Sequence, residues 1–238
     1  MTSLSIIIPV LNEAVHIADA LATLAPLRSR GVEVIVVDGG STDGTVSHAA
    51  ALVDKVVDAP RGRAAQMNAG AEQAKGDVLL FLHADSILPP DTDRLIADAL
   101  RSRPARGHRA PPHWGRFDVI IEGQHPMLRV IAAMMNWRSR STGIATGDQG
   151  IFVERAAFIA LGGFSMQPLM EDIEFCRRAK HLGRPACLRA KVVTSGRRWE
   201  KHGLWRTIWL MWRLRLAYFM GADPHRLAIE YGYLPPPK

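Results

Sequence analysis

Short apolar runs alternate with amphipathic stretches through the first hundred positions. Leu4-Ser5-Ile6-Ile7-Ile8-Pro9 reads as a strand, and Asn12 and Glu13 open an amphipathic helix to about Leu27, with Ile17, Leu21 and Leu24 on one face. Gly31 resets the chain, and Val32–Val37 is a second buried strand ending at Asp38-Gly39-Gly40. Ser41 or Thr42 is placed to cap the next helix, with Asp43 in its first turn. Lys55–Asp58 predicts a short third strand, followed by Pro60-Arg61-Gly62-Arg63 and a helix over about Ala64–Ala74. Then Leu79-Leu80-Phe81-Leu82 runs without a polar interruption and stops at His83, Ala84 and Asp85. That run is too brief to span a membrane and fits a strand buried on both faces of a parallel sheet.

The second half is less regular. Asp91 caps a helix to about Arg103, and Pro104–Trp114, rich in Pro, Arg and His, predicts a surface loop. Arg116–Glu122 predicts a strand, Pro126–Arg140 a helix with Met127, Ile131, Met134 and Met135 along an apolar stripe, and Gln149–Glu154 a further strand. Glu171–Leu182 reads as a helix stopped by Gly183, and Arg184–Thr194 as a late strand. Leu204–Met220 forms an amphipathic helix with Trp205, Trp209, Trp212, Tyr218 and Phe219, interrupted by Arg206, Arg213 and Arg215, so it is no ordinary transmembrane span. Two roles stay open for it: a basic aromatic helix on a membrane surface, or an apolar face that covers the sheet or meets a second subunit, as in a homodimer.

Alternation at this spacing implies an α/β chain with a doubly wound, mostly parallel, right-handed sheet and helices on both faces. Strand order 3-2-1-4 would put a crevice between Asn12-Glu13 and His83–Asp85, where open α/β sheets bind ligands. Carboxylates gather at strand ends: Glu13, Asp38, Asp85, Asp148 and the pair Glu171-Asp172. Asp38 can accept hydrogen bonds from a nucleotide's base or ribose, and Asp85 can hold a hard divalent cation that also touches phosphate oxygens. Each has a plainer reading as a cap or turn residue; Asp172, opening a helix, would complement its dipole. Their joint placement is what points to a site.

Composition narrows the partners. The 238 residues carry 47% hydrophobic and 22% charged side chains, enough for one large α/β domain, with no internal repeat or linker. A net charge of +7 suits nucleic acid, a membrane surface or a phosphorylated substrate. The arginines are spread over Arg101–Arg109, Arg138–Arg140 and Arg197–Arg215 without interleaved aromatics of an RNA-binding kind, which argues against a nucleic-acid partner. Two cysteines, Cys176 and Cys187, indicate neither a disulfide framework nor a multi-Cys metal site. With a strand-like opening and no leader signature, the expectation is a cytoplasmic protein, peripheral at the inner face of the membrane if the late helix binds lipid. No Walker or Rossmann glycine loop is present, which weighs against ATPases and dehydrogenases.

Ser5-Ile6-Ile7-Ile8-Pro9-Val10-Leu11-Asn12-Glu13, followed by Val36-Val37-Asp38-Gly39-Gly40-Ser41-Thr42-Asp43-Gly44-Thr45, resembles the opening of family 2 glycosyltransferases with the GT-A fold. Asn68-Ala69-Gly70, His83-Ala84-Asp85, and Gly162-Gly163-Phe164 before Glu171-Asp172 continue the same order. Arg197-Arg198-Trp199 and the aromatic helix are similar to a bacterial subgroup, the selenodomain-associated transferases. The resemblance implies a metal-dependent, inverting transfer of a sugar from a nucleoside-diphosphate sugar to an unidentified hydroxyl acceptor. It implies a single domain over 1–238, with a nucleotide-binding half (1–103), an acceptor-binding half (104–200) and C-terminal helices (201–238).

On that resemblance Pro9, Leu11, Glu13 and Ala84 would line the nucleotide and Asp38 would read its base. The usual Asp-x-Asp metal motif stands here as His83-Ala84-Asp85, with Asp85 the principal ligand of Mn²⁺ or Mg²⁺ and His83 its companion. Asp172 would be the general base, with Glu171 positioning it or binding acceptor. Arg63 or Gln66 would take the place of an Arg that the family often sets where Met67 stands. Asp148, Gln149 and Trp199 would face sugar or acceptor, and Arg198 would close over the pyrophosphate. The Gln of a processive Gln-x-x-Arg-Trp motif is absent. A sugar-nucleotide nucleotidyltransferase, or a non-catalytic nucleotide-binding or membrane-surface protein, is the competing reading.

Overall fold

The computed structural model describes residues 2–102 and 111–233, apart from the side chains of Arg198, Lys201 and His202. Its centre is one eight-stranded sheet. The first half supplies β1 (Leu4–Val10), α1 (Ile17–Ala22), α2 (Ala25–Arg28), β2 (Glu33–Asp38), α3 (Thr45–Ala49), β3 (Lys55–Asp58), α4 (Arg63–Gln73), β4 (Val78–Phe81), β5 (Ser86–Ile87) and α5 (Thr92–Arg101). The second half adds β6 (Trp114–Glu122), α6 (Met127–Thr142), β7 (Ile151–Glu154), α7 (Arg155–Ala160), α8 (Glu171–Ala179) and β8 (Ala186–Ser195). It closes with α9 (Arg197–His202), α10 (Leu204–Phe219) and α11 (Pro224–Glu230).

The strands lie in the order β3-β2-β1-β4-β7-β6-β8-β5. The first four are parallel, as the alternation requires, whereas β7 runs antiparallel to both β4 and β6 and β5 antiparallel to β8. Successive residues of the central strands feed opposite cores, as strand periodicity demands. Ile7, Ile35, Val37, Leu79 and Phe81 pack with α4, α8 and α10, while Ile6, Ile8, Val34, Val36 and Leu80 pack with α1 and α5. On the first side Gly70 lets α4 lie close to the sheet: a Cβ there would sit 2.5 Å from Cγ2 of Ile7. A third cluster joins β6 and α6 to Leu204 at the start of α10.

Several local expectations are corrected. The stretch Asn12 to Leu27 is not one helix. Asn12 takes a left-handed φ of 54°, its backbone N–H donates to Ser41 Oγ, and its Oδ1 accepts from the Thr42 amide. Ser41 and Thr42 therefore tie the β1 and β2 loops together instead of capping α3, which begins after Gly44 (φ 87°). Asp43 serves both loops, accepting from the Thr45 amide and hydroxyl and from the Ala14 amide. Asp91 holds the cap position of α5 without a side-chain cap bond.

Trp114 is no loop residue; it is fully buried at the head of β6, its indole N–H donating to Gly183 O at 3.1 Å. The rest of the predicted Pro104–Trp114 loop lies mostly outside the described residues. On α6, Met127, Ile131 and Met135 of the predicted stripe pack, partly buried, against the cluster that holds Leu128 and Ala132, and Met134 alone of the four is exposed. The two-residue β5 escaped sequence reading because it is too short to show a period. The predicted strand from Gln149 starts instead at Ile151, after a 3₁₀ turn at Gly147–Gln149.

Candidate active site

The C-terminal ends of β1 and β4 open on a cavity of about 370 Å³, closed from above by the second half of the chain. Pro9, Leu11 and Glu13 line it from β1, His83, Ala84 and Asp85 from β4, and Arg63 and Gln66 from α4. Facing them are Gly147 and Asp148 of the 3₁₀ turn, Glu171 and Asp172 at the head of α8, and Trp199. Twelve of the fifteen residues singled out above thus line one cavity; Asp38 and Gln149 do not, and the Arg198 side chain lies outside the described residues.

The carboxylate pair owes its place to the entry of α8. Met170 adopts φ 66° at the N-cap, an uncommon conformation for a non-glycine residue. It turns the chain so that Glu171 and Asp172 start the helix beside the cavity. Asp172 accepts from the Gly147 amide (Oδ2, 2.9 Å) and from the Ile173 amide (Oδ1, 2.7 Å). Burial raises its pKa and these two amides oppose the rise. Glu171 is buried, and burial together with the charge of Asp172 pushes it up to about 7 against the pull of Arg63. Arg63 in turn loses by burial, yet Glu171, with Tyr233, Tyr231 and Asp148, raises its pKa above the ordinary value; its guanidinium lies 5.7 Å from the Tyr233 ring centre.

Across the cavity, Glu13 is raised by burial, lowered by Arg197 (Nη2 to Oε2, 4.0 Å) and raised by Asp85. Two carboxylates therefore flank the crevice that the strand order predicts. His83 also contacts the 3₁₀ turn. Its Nδ1 pairs with Asp148 Oδ1 at 3.2 Å, and a Cβ on Gly147 would fall 2.3 Å from its Nε2. Both ring nitrogens lie against the Gly147-Asp148 turn, so the imidazole supports Asp148, while His83 and Asp85 both line the cavity.

Three other residues of the expected site make structural contacts. Asp38 is buried and outside the cavity lining; its Oδ2 accepts from the Gly40 and Ser41 amides at 2.9 Å each, and its buried Oδ1 has no partner among the described residues. Gln66 lines the cavity, but its amide nitrogen is spent on Val10 O and Val37 O at 2.8 Å, joining the ends of β1 and β2. Gln149 is fully buried outside the cavity lining, its amide donating to Ser139 Oγ at 3.0 Å and bracing α6.

Sequence reading missed the far wall. Thr207, Met211, Leu214 and Arg215 of α10, with Tyr231 and Tyr233 beyond α11, complete the lining. None carries a motif, and only the fold of the C-terminal helices over α4 and α8 brings them in. Arg138 of α6 lies outside the cavity lining but near its carboxylates. Its Nε and one Nη are buried without hydrogen-bond partners among the described residues; burial lowers its pKa, with Asp172 and Asp148 among the charges that oppose the shift. Cys176, read as inert, is buried, and burial pushes its thiol up.

Among the described residues no cluster of three or more His, Cys, Asp or Glu is arranged to hold an ion by protein atoms alone. An ion that keeps its waters and binds substrate phosphates needs only one or two protein carboxylates, and Asp85 on the cavity wall fits that donor set.

Comparison with known proteins places this geometry. The sequence model described as Glycosyl transferase family 2 matches residues 5–111. The undecaprenyl-phosphate 4-deoxy-4-formamido-L-arabinose transferase of Pseudomonas fluorescens is 32% identical over 165 residues, 61% of this chain and 44% of that protein. The succinoglycan biosynthesis protein ExoA of Rhizobium meliloti is 39% identical over 109 residues, 42% of this chain and 33% of that protein. The chain thus matches less than half the length of these curated relatives.

Among solved structures, a mannosyltransferase from Pyrobaculum calidifontis in complex with GDP-Man and Mn²⁺ superimposes with a TM-score of 0.63 at 22% identity, over 91% of this chain and 61% of that one. Glucosyl-3-phosphoglycerate synthase from Mycobacterium tuberculosis, in complex with Mg²⁺ and UDP, gives 0.58 at 20% identity, over 81% and 70%. With the end of β1, the His83-Ala84-Asp85 strand end and the Glu171-Asp172 helix all lining one cavity, the chain matches the glycosyl transferase family 2 model over residues 5–111, just under half its length, and shares the GT-A fold of these solved structures.

Proposed function

We propose that this protein transfers a sugar from a nucleoside-diphosphate sugar to an acceptor hydroxyl with inversion at the anomeric carbon. The observation that carries the reading is that Asp85 and Asp172, from the end of β4 and the head of α8, line the same cavity. The nucleotide would lie over Pro9, Leu11, Glu13 and Ala84, with its base toward Asp38, whose buried Oδ1 is unpartnered. Arg63, already steadied by Glu171, faces the diphosphate, and Arg198 on α9 is placed in the segment that would cover it.

Asp85 would hold Mn²⁺ or Mg²⁺, and the ion would supply neutralisation of the charge that builds on the departing diphosphate. Asp172, fixed by the Gly147 and Ile173 amides, takes the acceptor's proton as its oxygen bonds to the anomeric carbon and the bond to the diphosphate breaks. Burial raises the basicity of Asp172, which suits a base acting near neutral pH. Asp148, held by His83, and Trp199 face the sugar or acceptor. The acceptor end of the cavity is apolar, with Leu169, Met211 and Leu214, and carries Arg215. That lining, and relatives named for undecaprenyl phosphate, support an acceptor with an anionic head and an apolar body.

Thermal shift with UDP, GDP and other nucleoside diphosphates, with and without Mn²⁺, tests donor binding. Metal-dependent stabilisation by at least one of them is expected, and none from any of them overturns the assignment. A panel of sugar nucleotides then identifies the donor by release of the diphosphate.

A further inference from the structure

The helix that walls the cavity also carries the largest exposed apolar stripe. On α10, Thr207, Met211, Leu214 and Arg215 face the cavity. The opposite side presents Trp205, Trp209 and Trp212, each about two-thirds exposed (69%, 66% and 65%), continued by Leu216, Phe219 and Met220. Steps of four, three, four and three residues keep this series within an arc of about 100° on a helix of 3.6 residues per turn. Arg206 and Arg213 border the arc on one flank and Arg215 on the other, and the helix contains no acidic residue. Glu230, paired with Arg213 at 2.6 Å and with Arg226 at 3.6 Å, offsets only one of these charges. The Arg213 guanidinium also lies 5.3 Å from the Trp209 ring centre, which keeps the cation beside the aromatic stripe.

We propose that this face of α10 docks on an anionic lipid bilayer. Indole rings prefer the headgroup level and flanking arginines meet anionic lipid, a combination typical of helices that lie in the interface. A second copy of the chain is the poorer occupant, because self-pairing of this face would oppose like charges with no acidic residue on the helix to neutralise them. No helix among the described residues is long and apolar enough to cross a membrane, so the contact lies on the surface. Docking in this orientation sets the bilayer one helix diameter from the acceptor end of the cavity. The inference needs only the exposed stripe and its charge, and it stands or falls independently of glycosyl transfer.

The full-length protein is sedimented with vesicles of phosphatidylcholine alone or mixed equally with phosphatidylglycerol, and tryptophan fluorescence is followed with brominated acyl chains in the same vesicles. Binding to the anionic vesicles, weakened by salt and accompanied by quenching, is expected. A variant with Trp205, Trp209 and Trp212 each changed to Ser should retain a cooperative melting transition and bind roughly tenfold less or weaker still, an apparent change of about 1.4 kcal/mol. Absence of wild-type binding or of quenching overturns the proposal. So does undiminished binding by a folded variant, or a lipid-free dimer that the variant dissolves. If the variant does not fold, quenching of the wild-type protein decides.

Discussion

His83 and Asp148 are joined by a 3.2 Å contact between Nδ1 and Oδ1, with the imidazole packed against the bare backbone of Gly147. Because Gly147 also donates its amide to Asp172, one short turn links the end of β4, the turn's own carboxylate and the head of α8. Any side chain at Gly147 would disturb all three.

Gly147→Ala is therefore expected to act on the site through His83. The new Cβ would lie 2.3 Å from Nε2, so the ring or the turn must move. Such overpacking typically costs ~1–3 kcal/mol of stability. Turnover should fall more than donor affinity if the displaced groups serve the acceptor, as proposed above. Melting temperature and the split between kcat and donor KM check this, and an unaltered kcat contradicts it.

For Asp172→Asn, donor binding should be retained while kcat falls by ~10²–10⁴, the usual scale of general-base loss. The carboxamide has nearly the same shape, but its single oxygen can accept from only one of the Gly147 and Ile173 amides. An unchanged melting temperature and donor affinity beside the lost turnover therefore mark loss of the base and not of the local fold. Isothermal titration with the nucleoside diphosphate, beside initial rates, separates the two outcomes.

Asp85→Ala removes the carboxylate assigned to the divalent ion. The expected result is loss of the Mn²⁺-dependent part of nucleotide affinity, with metal-free affinity unchanged or raised, since Asp85 itself repels a diphosphate. A variant whose nucleotide affinity still responds to Mn²⁺ as the wild type does would remove Asp85 from this role.

Glu171 binds its proton more tightly in the folded protein, at about 7, than a free glutamate does at its ordinary 4.5. The native state then holds more protons than the unfolded chain between these values, so its stability declines as pH rises across that interval. Each unit of such a shift corresponds to ~1.4 kcal/mol. Glu171→Gln should flatten the decline, and melts of the metal-free protein at points from pH 4.5 to 7.5 would show it. Parallel curves for variant and wild type would exclude Glu171 as the source.

The alternation of Ile6-Ile7-Ile8, Val34–Val37 and Leu79–Phe81 with amphipathic stretches was enough to predict β3-β2-β1-β4 and the crevice beside Glu13 and Asp85. β1, β2 and β4 are buried on both faces and their apolar runs need no distant partner to be recognised, while β3 is a short edge strand with exposed ends. Asp172 and Glu171 were legible as a pair at a helix start, because a motif and a boundary coincide there. What tertiary structure alone decided concerns contacts between segments far apart in the chain. His83 turned to Asp148, sixty-five residues on, and Gln66 and Gln149 became braces because backbone carbonyls and α6 side chains came within reach of their amides. The helix Leu204–Met220 shows the division most plainly. Periodicity fixed that it has apolar faces, but only the packing of the chain decided which face closes the cavity and which is left to solvent, since burial depends on what lies opposite and no local pattern encodes that.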